Sequence, residues 1–124
     1  MTMESQTQFL NDWEDGGVEA IKRAFNLSDN SLAGIDLLLA SYSRDAFCGE
    51  AFVLFRQGMA LYEVNASHDS SDCMAGQWEP EETLLMALEF RLERGRLGLR
   101  TDGKNLFADE LRFLLAELKA NGFS

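Results

Sequence analysis

The stretch AFVLFRQGMALYEV, residues 51–64, decides the fold. Its first five residues are aromatic, β-branched or otherwise apolar, which is typical of a buried strand. Gln57-Gly58 then supplies turn residues, and residues 61–64 return as a second strand. Because a hairpin alone is only marginally stable in water, we expect a third strand beside it.

The segment LAGIDLLLASYS, residues 32–43, is the candidate for that third strand. Its run of leucines at 37–39 favours a helix by propensity. The alternation of apolar residues around Asp36 favours a strand instead. Since the neighbouring hairpin needs a partner, we assign residues 35–43 to the strand.

Four helices are predicted around these strands, because apolar residues recur there at helical spacing. Pro80 suits the first turn of one of them, where its missing N–H has no partner, and the surrounding glutamates complement the helix dipole. The order of helices, strands and helices predicts an α+β fold in a single domain, residues 1–124. We expect a three-stranded antiparallel sheet with about four helices packed mainly on one face. The predicted helices cover residues 5–14, 18–25, 79–93 and 104–120.

Acidic residues dominate the first two thirds of the chain. The 124 residues include 21 acids and 11 bases, a formal net charge of −10. Residues 1–82 contain 15 of the acids and four of the bases, whereas residues 83–124 contain six acids and seven bases. Such a charge excludes a basic nucleic-acid-binding protein, because phosphate contacts need Lys and Arg. It leaves two interpretations, a solubilising surface or a surface that meets a basic partner.

Other features of the sequence limit where the protein works. No run approaches the length of about 20 apolar residues that a membrane span needs, and the first residues lack the pattern of a signal peptide. Cys48 and Cys73 stand in no disulfide or zinc motif. We therefore expect a cytoplasmic protein with reduced thiols, no membrane contact and no cofactor or metal.

The polar loop predicted at residues 65–78 contains the main cluster of potential ligand side chains. His68, Asp69, Asp72 and Cys73 lie within six residues, but zinc sites need further His or Cys at defined spacing. A small metal- or thiol-dependent enzyme centred on these four residues is therefore an alternative function. We otherwise assign no catalytic residues.

Several acids and one tryptophan are candidates for partner binding. Three acids lie at the C-terminal end of the first predicted helix, before Gly16, where the helix dipole disfavours negative charge. Trp78 stands in the polar loop. The proposed partner-binding residues are Asp12, Glu14, Asp15, Glu63, Asp69, Asp72, Trp78, Glu79, Glu81 and Glu82.

Three segments carry a resemblance to a known family: GEAFVLF at 49–55, LYEVNASH at 61–68 and GQWEPEET at 76–83. From residue 42 to residue 91 the sequence resembles a family of small phage and prophage proteins with the pattern GDAFVLF…LYEVNGSHCSCYGLEGQWEPEET. The chain departs from that pattern in the loop, where the two family cysteines fall on Asp69 and Ser71.

The resemblance implies an accessory protein of a phage or mobile element that acts in the bacterial cytoplasm. By analogy with small acidic counter-defence proteins, including anti-CRISPR proteins, it implies a protein that binds and inhibits a bacterial defence complex. The expected partner is a ribonucleoprotein or nuclease with a basic surface, and no direct contact with nucleic acid is expected. A monomer and a homodimer both remain open, and a homodimeric structural or regulatory phage protein is a further alternative.

Overall fold

The protein is built on a five-stranded mixed sheet in the strand order β1-β2-β3-β4-β5. The computed structural model describes residues 7–45, 48–69, 74–99 and 103–123. A short 3₁₀ helix, Asp29–Leu32, precedes the second strand. The strands are β1 (Gln8–Asn11), β2 (Asp36–Asp45), β3 (Cys48–Gln57), β4 (Ala60–His68) and β5 (Glu81–Thr83). The helices are α1 (Gly17–Phe25), α2 (Leu85–Glu93) and α3 (Ala108–Ala120).

The centre of the sheet is an antiparallel meander of β2, β3 and β4. Strand β5 extends it antiparallel to β4, and β1 extends it parallel to β2 on the other side. Gly58, with a φ of 63°, makes the tight turn between β3 and β4. This turn needs a residue that tolerates the left-handed region, as glycine does.

Each face of the sheet is covered by helices, because the central strands are apolar on both faces. Leu39, Leu54 and Leu61 pack with α2 and α3 in one core. Val53 and Val64 face the other way and pack with α1 and Trp13 in a second core. Among the described residues, no helix combines the length and apolar character that crossing a membrane requires.

Asn11 connects three parts of the structure at the end of β1. Its φ is 60°, so the chain turns sharply where the strand ends. Its side-chain Nδ2 donates to the Ser41 hydroxyl oxygen at 2.7 Å and to the Leu106 carbonyl oxygen at 3.0 Å. The edge strand, the sheet and the segment before α3 are thereby joined by one side chain.

The strand and helix counts predicted from the sequence are wrong, although the α+β class holds. The sheet has five strands and mixed direction instead of three antiparallel strands, and the described residues form three α-helices instead of four. Two predicted helical stretches are strands: part of 5–14 forms β1, and part of 79–93 forms β5. The helices also occupy both faces of the sheet. The strands predicted at 51–55 and 61–64 lie within β3 and β4, and the strand predicted at 35–43 coincides with β2 from residue 36 onwards.

Candidate functional site

The predicted acidic surface is divided between the two edges of the sheet. Asp12, Glu14 and Asp15 lie in the exposed turn between β1 and α1. Glu81 and Glu82 lie in β5 at the opposite edge, and Glu79 precedes them. Five strands about 4.8 Å apart separate the two edges by about 19 Å. One partner surface can therefore contact one edge closely, but contacts both only if it wraps around the sheet.

The acids at the β5 edge have no cationic partner among the residues that the structure describes. Within the described residues, Glu79, Glu81 and Glu82 form no ion pair and are exposed. Elsewhere the chain uses its cations internally, as in the contacts of Lys22 with Asp29 at 2.8 Å and of Arg56 with Asp36 at 3.4 Å. The negative charge of the β5 edge is thus available to an external cation.

The turn after β1 is less open to a partner than the β5 edge. Asp12 already accepts a hydrogen bond from the backbone N–H of Arg44 at 2.8 Å through its Oδ2 atom. Glu14 and Asp15 are exposed and form no ion pair within the described residues. The first of the three acids therefore fixes the turn to β2, while the other two extend into solvent.

Large exposed apolar side chains follow the acids of β5 in the sequence. Leu84 follows the strand and is 60% exposed, while Met86 and Phe90, four residues apart on α2, are 68% and 56% exposed. Residues spaced by four lie on one face of a helix. The buried face of α2 is formed by other residues, Leu85, Leu88 and Leu92. We call the exposed set Glu79, Glu81, Glu82, Leu84, Met86 and Phe90 the β5–α2 surface.

Glu63 is not part of this surface, although the sequence places it among the candidates. Its side chain is buried on the α2 side of the sheet. The Arg91 Nη1 atom donates to both carboxylate oxygens of Glu63, at 2.9 Å and 2.7 Å. The Asn65 side chain donates to the same carboxylate at 2.8 Å. Glu63 therefore joins β4 to α2, and its buried carboxylate oxygens are not available to a partner protein.

The environment of Glu63 sets its ionisation. Burial alone would raise the pKa of this carboxyl, because it removes water from the charged form. Hydrogen bonds from Arg91, Asn65 and Thr83, together with the Arg91 charge, outweigh burial and hold the pKa below its usual value. The carboxylate is therefore charged at neutral pH and serves as a structural anion.

Residues 76–83 cover the outer edge of β4. The Gln77 side chain accepts the Ser67 N–H at 3.1 Å and donates to the Ser67 carbonyl oxygen at 2.9 Å. The side-chain amide thus satisfies the two backbone groups of Ser67 that a neighbouring strand would otherwise pair with. Trp78 is half-buried, with its ring 6.1 Å from that of Phe55 and 5.2 Å from that of Phe25. Trp78 therefore anchors this segment on the core opposite α2.

His68 lies at the end of β4 in a packed aromatic environment. Its Nε2 atom is 2.5 Å from the Tyr42 hydroxyl, and its Nδ1 atom is 3.2 Å from the Asp69 carbonyl oxygen. Tyr42 in turn stacks on Trp13. Gly49 leaves room for the histidine, since a Cβ atom there would lie 2.3 Å from Nε2. Both ring nitrogens are engaged in local contacts.

The alternative enzyme site is only partly within the described residues. Asp72 and Cys73 lie outside them, so the proposed cluster with His68 has no described geometry. Within residues 7–45, 48–69, 74–99 and 103–123, no three His, Cys, Asp or Glu side chains converge to hold a metal ion. Asp69 is exposed, and its carbonyl oxygen lies 3.2 Å from His68 Nδ1.

Sequence reasoning missed two features of the candidate site. The Arg91 partner of Glu63 is 28 residues away, and nothing in a single sequence links the two positions. The second missed feature is the exposure of Met86 and Phe90 on α2. Both lie away from the narrow buried face that Leu85, Leu88 and Leu92 form.

Comparison with known proteins gives no match: no protein-family model, no curated protein and no solved structure resembles the chain significantly.

Proposed function

We propose that the protein is a binding protein, not an enzyme, that docks its β5–α2 surface on a basic surface of another protein. The observation that carries the proposal is that three carboxylates without an ion pair among the described residues, and three large apolar side chains, are all exposed between residues 79 and 90. Large exposed apolar side chains next to polar ones are typical of interaction surfaces.

The apolar side chains and the acids of such a surface contribute differently to binding. Desolvated apolar side chains at the centre of an interface supply most of the affinity. Charges at the rim accelerate association and select partners of opposite sign. Phe90 and its neighbours would be the anchors, while Glu79, Glu81 and Glu82 would steer a basic partner.

The resemblance of residues 42–91 to phage proteins favours a particular partner. We propose a bacterial defence ribonucleoprotein or nuclease in the cytoplasm, whose basic nucleic-acid-binding surface the acids would occupy. Binding there would block the nucleic acid by competition, as expected of an anti-CRISPR-like inhibitor.

A plaque assay in a bacterium with an active CRISPR system tests the proposal. We expect the expressed protein to restore plating of a targeted phage, and the triple variant Glu79→Lys, Glu81→Lys, Glu82→Lys to lose this effect. With the purified effector complex, the affinity should fall as salt rises, because ion pairs at an exposed rim are screened.

The matched control reverses three acids on the helices, Glu93, Glu110 and Glu117, which also form no ion pair in the described chain. It changes the net charge by the same amount and should keep the activity. Equal activity of the two triple variants, or an affinity that does not depend on salt, would contradict the electrostatic mechanism.

A second candidate is a homodimer formed through the helices. Phe113 of α3 is 66% exposed, and its helical position places it on the side away from the sheet, as for Phe90. Two copies could bury these rings against each other. Light scattering distinguishes the candidates, because a monomeric wild type would exclude the homodimer, and a dimer dissociated by Phe113→Glu would support it.

A further inference from the structure

The sheet is longer than the helices that cover its α2–α3 face. Strand β3 has ten residues and spans about 33 Å, whereas α2 with nine residues and α3 with thirteen span about 13 Å and 20 Å. Leu39 and Leu54 are covered by these helices. The rows of side chains beyond them are bordered instead by the segment between α2 and α3, through its residues 96–99 and 106–107.

A cavity of about 350 Å³ lies between these rows and that segment. Its floor consists of side chains from neighbouring positions on three strands, since Ser41 pairs with Phe52, and Phe52 with Asn65. The next row contributes Glu50 and Ser67, which also pair. The volume lies within the range of about 300–1,000 Å³ that is usual for small-ligand clefts.

Two opposite charges line this cavity without neutralising each other. Glu50 extends from the floor in β3, and Arg96 lies in the wall after α2. Within the described residues, neither side chain forms a hydrogen bond or an ion pair. Glu50 and Arg96 are also both exposed, so each can reach a ligand that enters from solvent.

The uncharged lining completes the chemistry of the cavity. The Asn65 amide and the Ser67 hydroxyl offer hydrogen-bond donors and acceptors on the floor. Leu97 and Leu99 form an apolar wall next to Arg96. A ligand that satisfies this lining carries a cation at one end, an anion at the other and polar backbone groups between them.

We propose that this cavity binds a short peptide with free termini, placing its ammonium group at Glu50 and its carboxylate at Arg96. The site is distinct from the β5–α2 surface, because the two share no residue. Peptide binding in this cavity is therefore independent of the protein partner proposed for the β5–α2 surface.

Titration of the ¹⁵N-labelled full-length protein with trialanine tests the proposal. We expect shifts of the Ser67 and Leu99 amide resonances that saturate at millimolar concentration. N-acetyl-trialanine and trialanine amide each lose one charge, so each should bind about fivefold more weakly, which corresponds to about 1 kcal/mol for an exposed ion pair.

Variants assign each charge to its side chain. Glu50→Gln should weaken the binding of trialanine about fivefold and leave the binding of N-acetyl-trialanine unchanged. Arg96→Gln should also weaken the binding of trialanine about fivefold, and it should leave the binding of trialanine amide unchanged. Glu93→Gln, an exposed acid of α2 outside the cavity, is the control and should change nothing. An absence of saturable shifts, or equal effects of Glu50→Gln on free and acetylated peptide, would overturn the proposal.

Discussion

Replacing Arg91 with Met tests whether the Glu63 ion pair stabilises the fold. Methionine keeps the apolar length of the side chain and removes both hydrogen bonds to the carboxylate. Breaking a fully buried pair costs about 3–5 kcal/mol, because the remaining charge has no partner. The Arg91 side chain is 33% exposed, so water reaches its end of the pair. Because of this access, and because Asn65 still donates, we expect the free energy of unfolding to fall by about 2–3 kcal/mol at pH 7.

The loss should depend on pH in a definite direction. In the wild type the pKa of Glu63 is lowered, so its stabilisation is complete above the unfolded pKa of about 4.3 and is lost as the pH falls through the folded pKa. Without Arg91, burial becomes the dominant influence and raises that pKa. The variant is then most destabilised at pH 7, and its deficit shrinks as acid protonates the carboxylate.

Thermal and urea unfolding at pH 7 and pH 4.5, followed by circular dichroism, measures both effects. For 124 residues, about 2.5 kcal/mol corresponds to a decrease in Tm of about 10 °C. The double variant Glu63→Gln, Arg91→Met is the control, since it leaves no buried charge and should be more stable than Arg91→Met alone at pH 7. A loss below about 0.5 kcal/mol, or an equal loss at both pH values, would refute the reasoning.

Three further substitutions test the packing around the sheet. Gly49→Ala should lower the free energy of unfolding by about 1–3 kcal/mol in urea, because the new methyl group overlaps the His68 ring. Gln77→Ala should cost about 1 kcal/mol and accelerate hydrogen exchange at the Ser67 amide, which loses its acceptor. Leu88→Ala should cost about 2–5 kcal/mol by thermal unfolding, because Leu88 is fully buried and leaves a cavity.

Each of these substitutions has a matched control. Adding His68→Ala to Gly49→Ala should recover part of the loss, because the clash is removed. Gln77→Glu keeps the acceptor oxygen and should preserve slow exchange at Ser67. Met86→Ala should change stability by less than about 0.5 kcal/mol, since that residue is exposed. Unchanged exchange in Gln77→Ala, or equal costs for Leu88→Ala and Met86→Ala, would contradict the structure.

The central strands could be predicted from the sequence, because their signals are local. The run at 51–55 is strongly apolar, and the turn at Gly58 requires the residue type found there. The neighbouring segment at 35–43 is ambiguous by propensity, and only the need of the hairpin for a partner predicts a strand there. That argument is also local, since β2 and β3 are consecutive in the chain.

The edge strands could not be predicted, because distant contacts determine them. Phe9 and Leu10 fit a helix by spacing, but as a strand they face opposite sides of the sheet and pack into different cores. Pro80 suits the first turn of a helix, and it suits the edge of a sheet equally well, because both environments tolerate a missing N–H. The segment after Pro80 forms a strand because it pairs with the edge of β4.

The candidate site shows the same difference between features set by local sequence and features set by distant contacts. The sequence identified Glu79, Glu81 and Glu82, because net charge can be read residue by residue. It could not divide the acids between two edges, since that depends on strand order. Nor could it remove Glu63 from the set, since burial and the contact with Arg91 depend on the position of α2.

The hydrogen bonds of Asn11 have a consequence for how the chain folds. They join Asn11 to Ser41 and Leu106, which are 30 and 95 residues away in sequence. The meander of β2, β3 and β4 needs only neighbouring segments and can form early, because short loops cost less entropy to close. The hydrogen bond to Leu106 can form only after nearly the whole chain has been synthesised, whereas the hydrogen bonds of Asp12 with Tyr42 and Arg44 can form once β2 is present. A chain truncated before Leu106 would therefore keep the acidic turn attached to β2 but lose its link to the segment before α3.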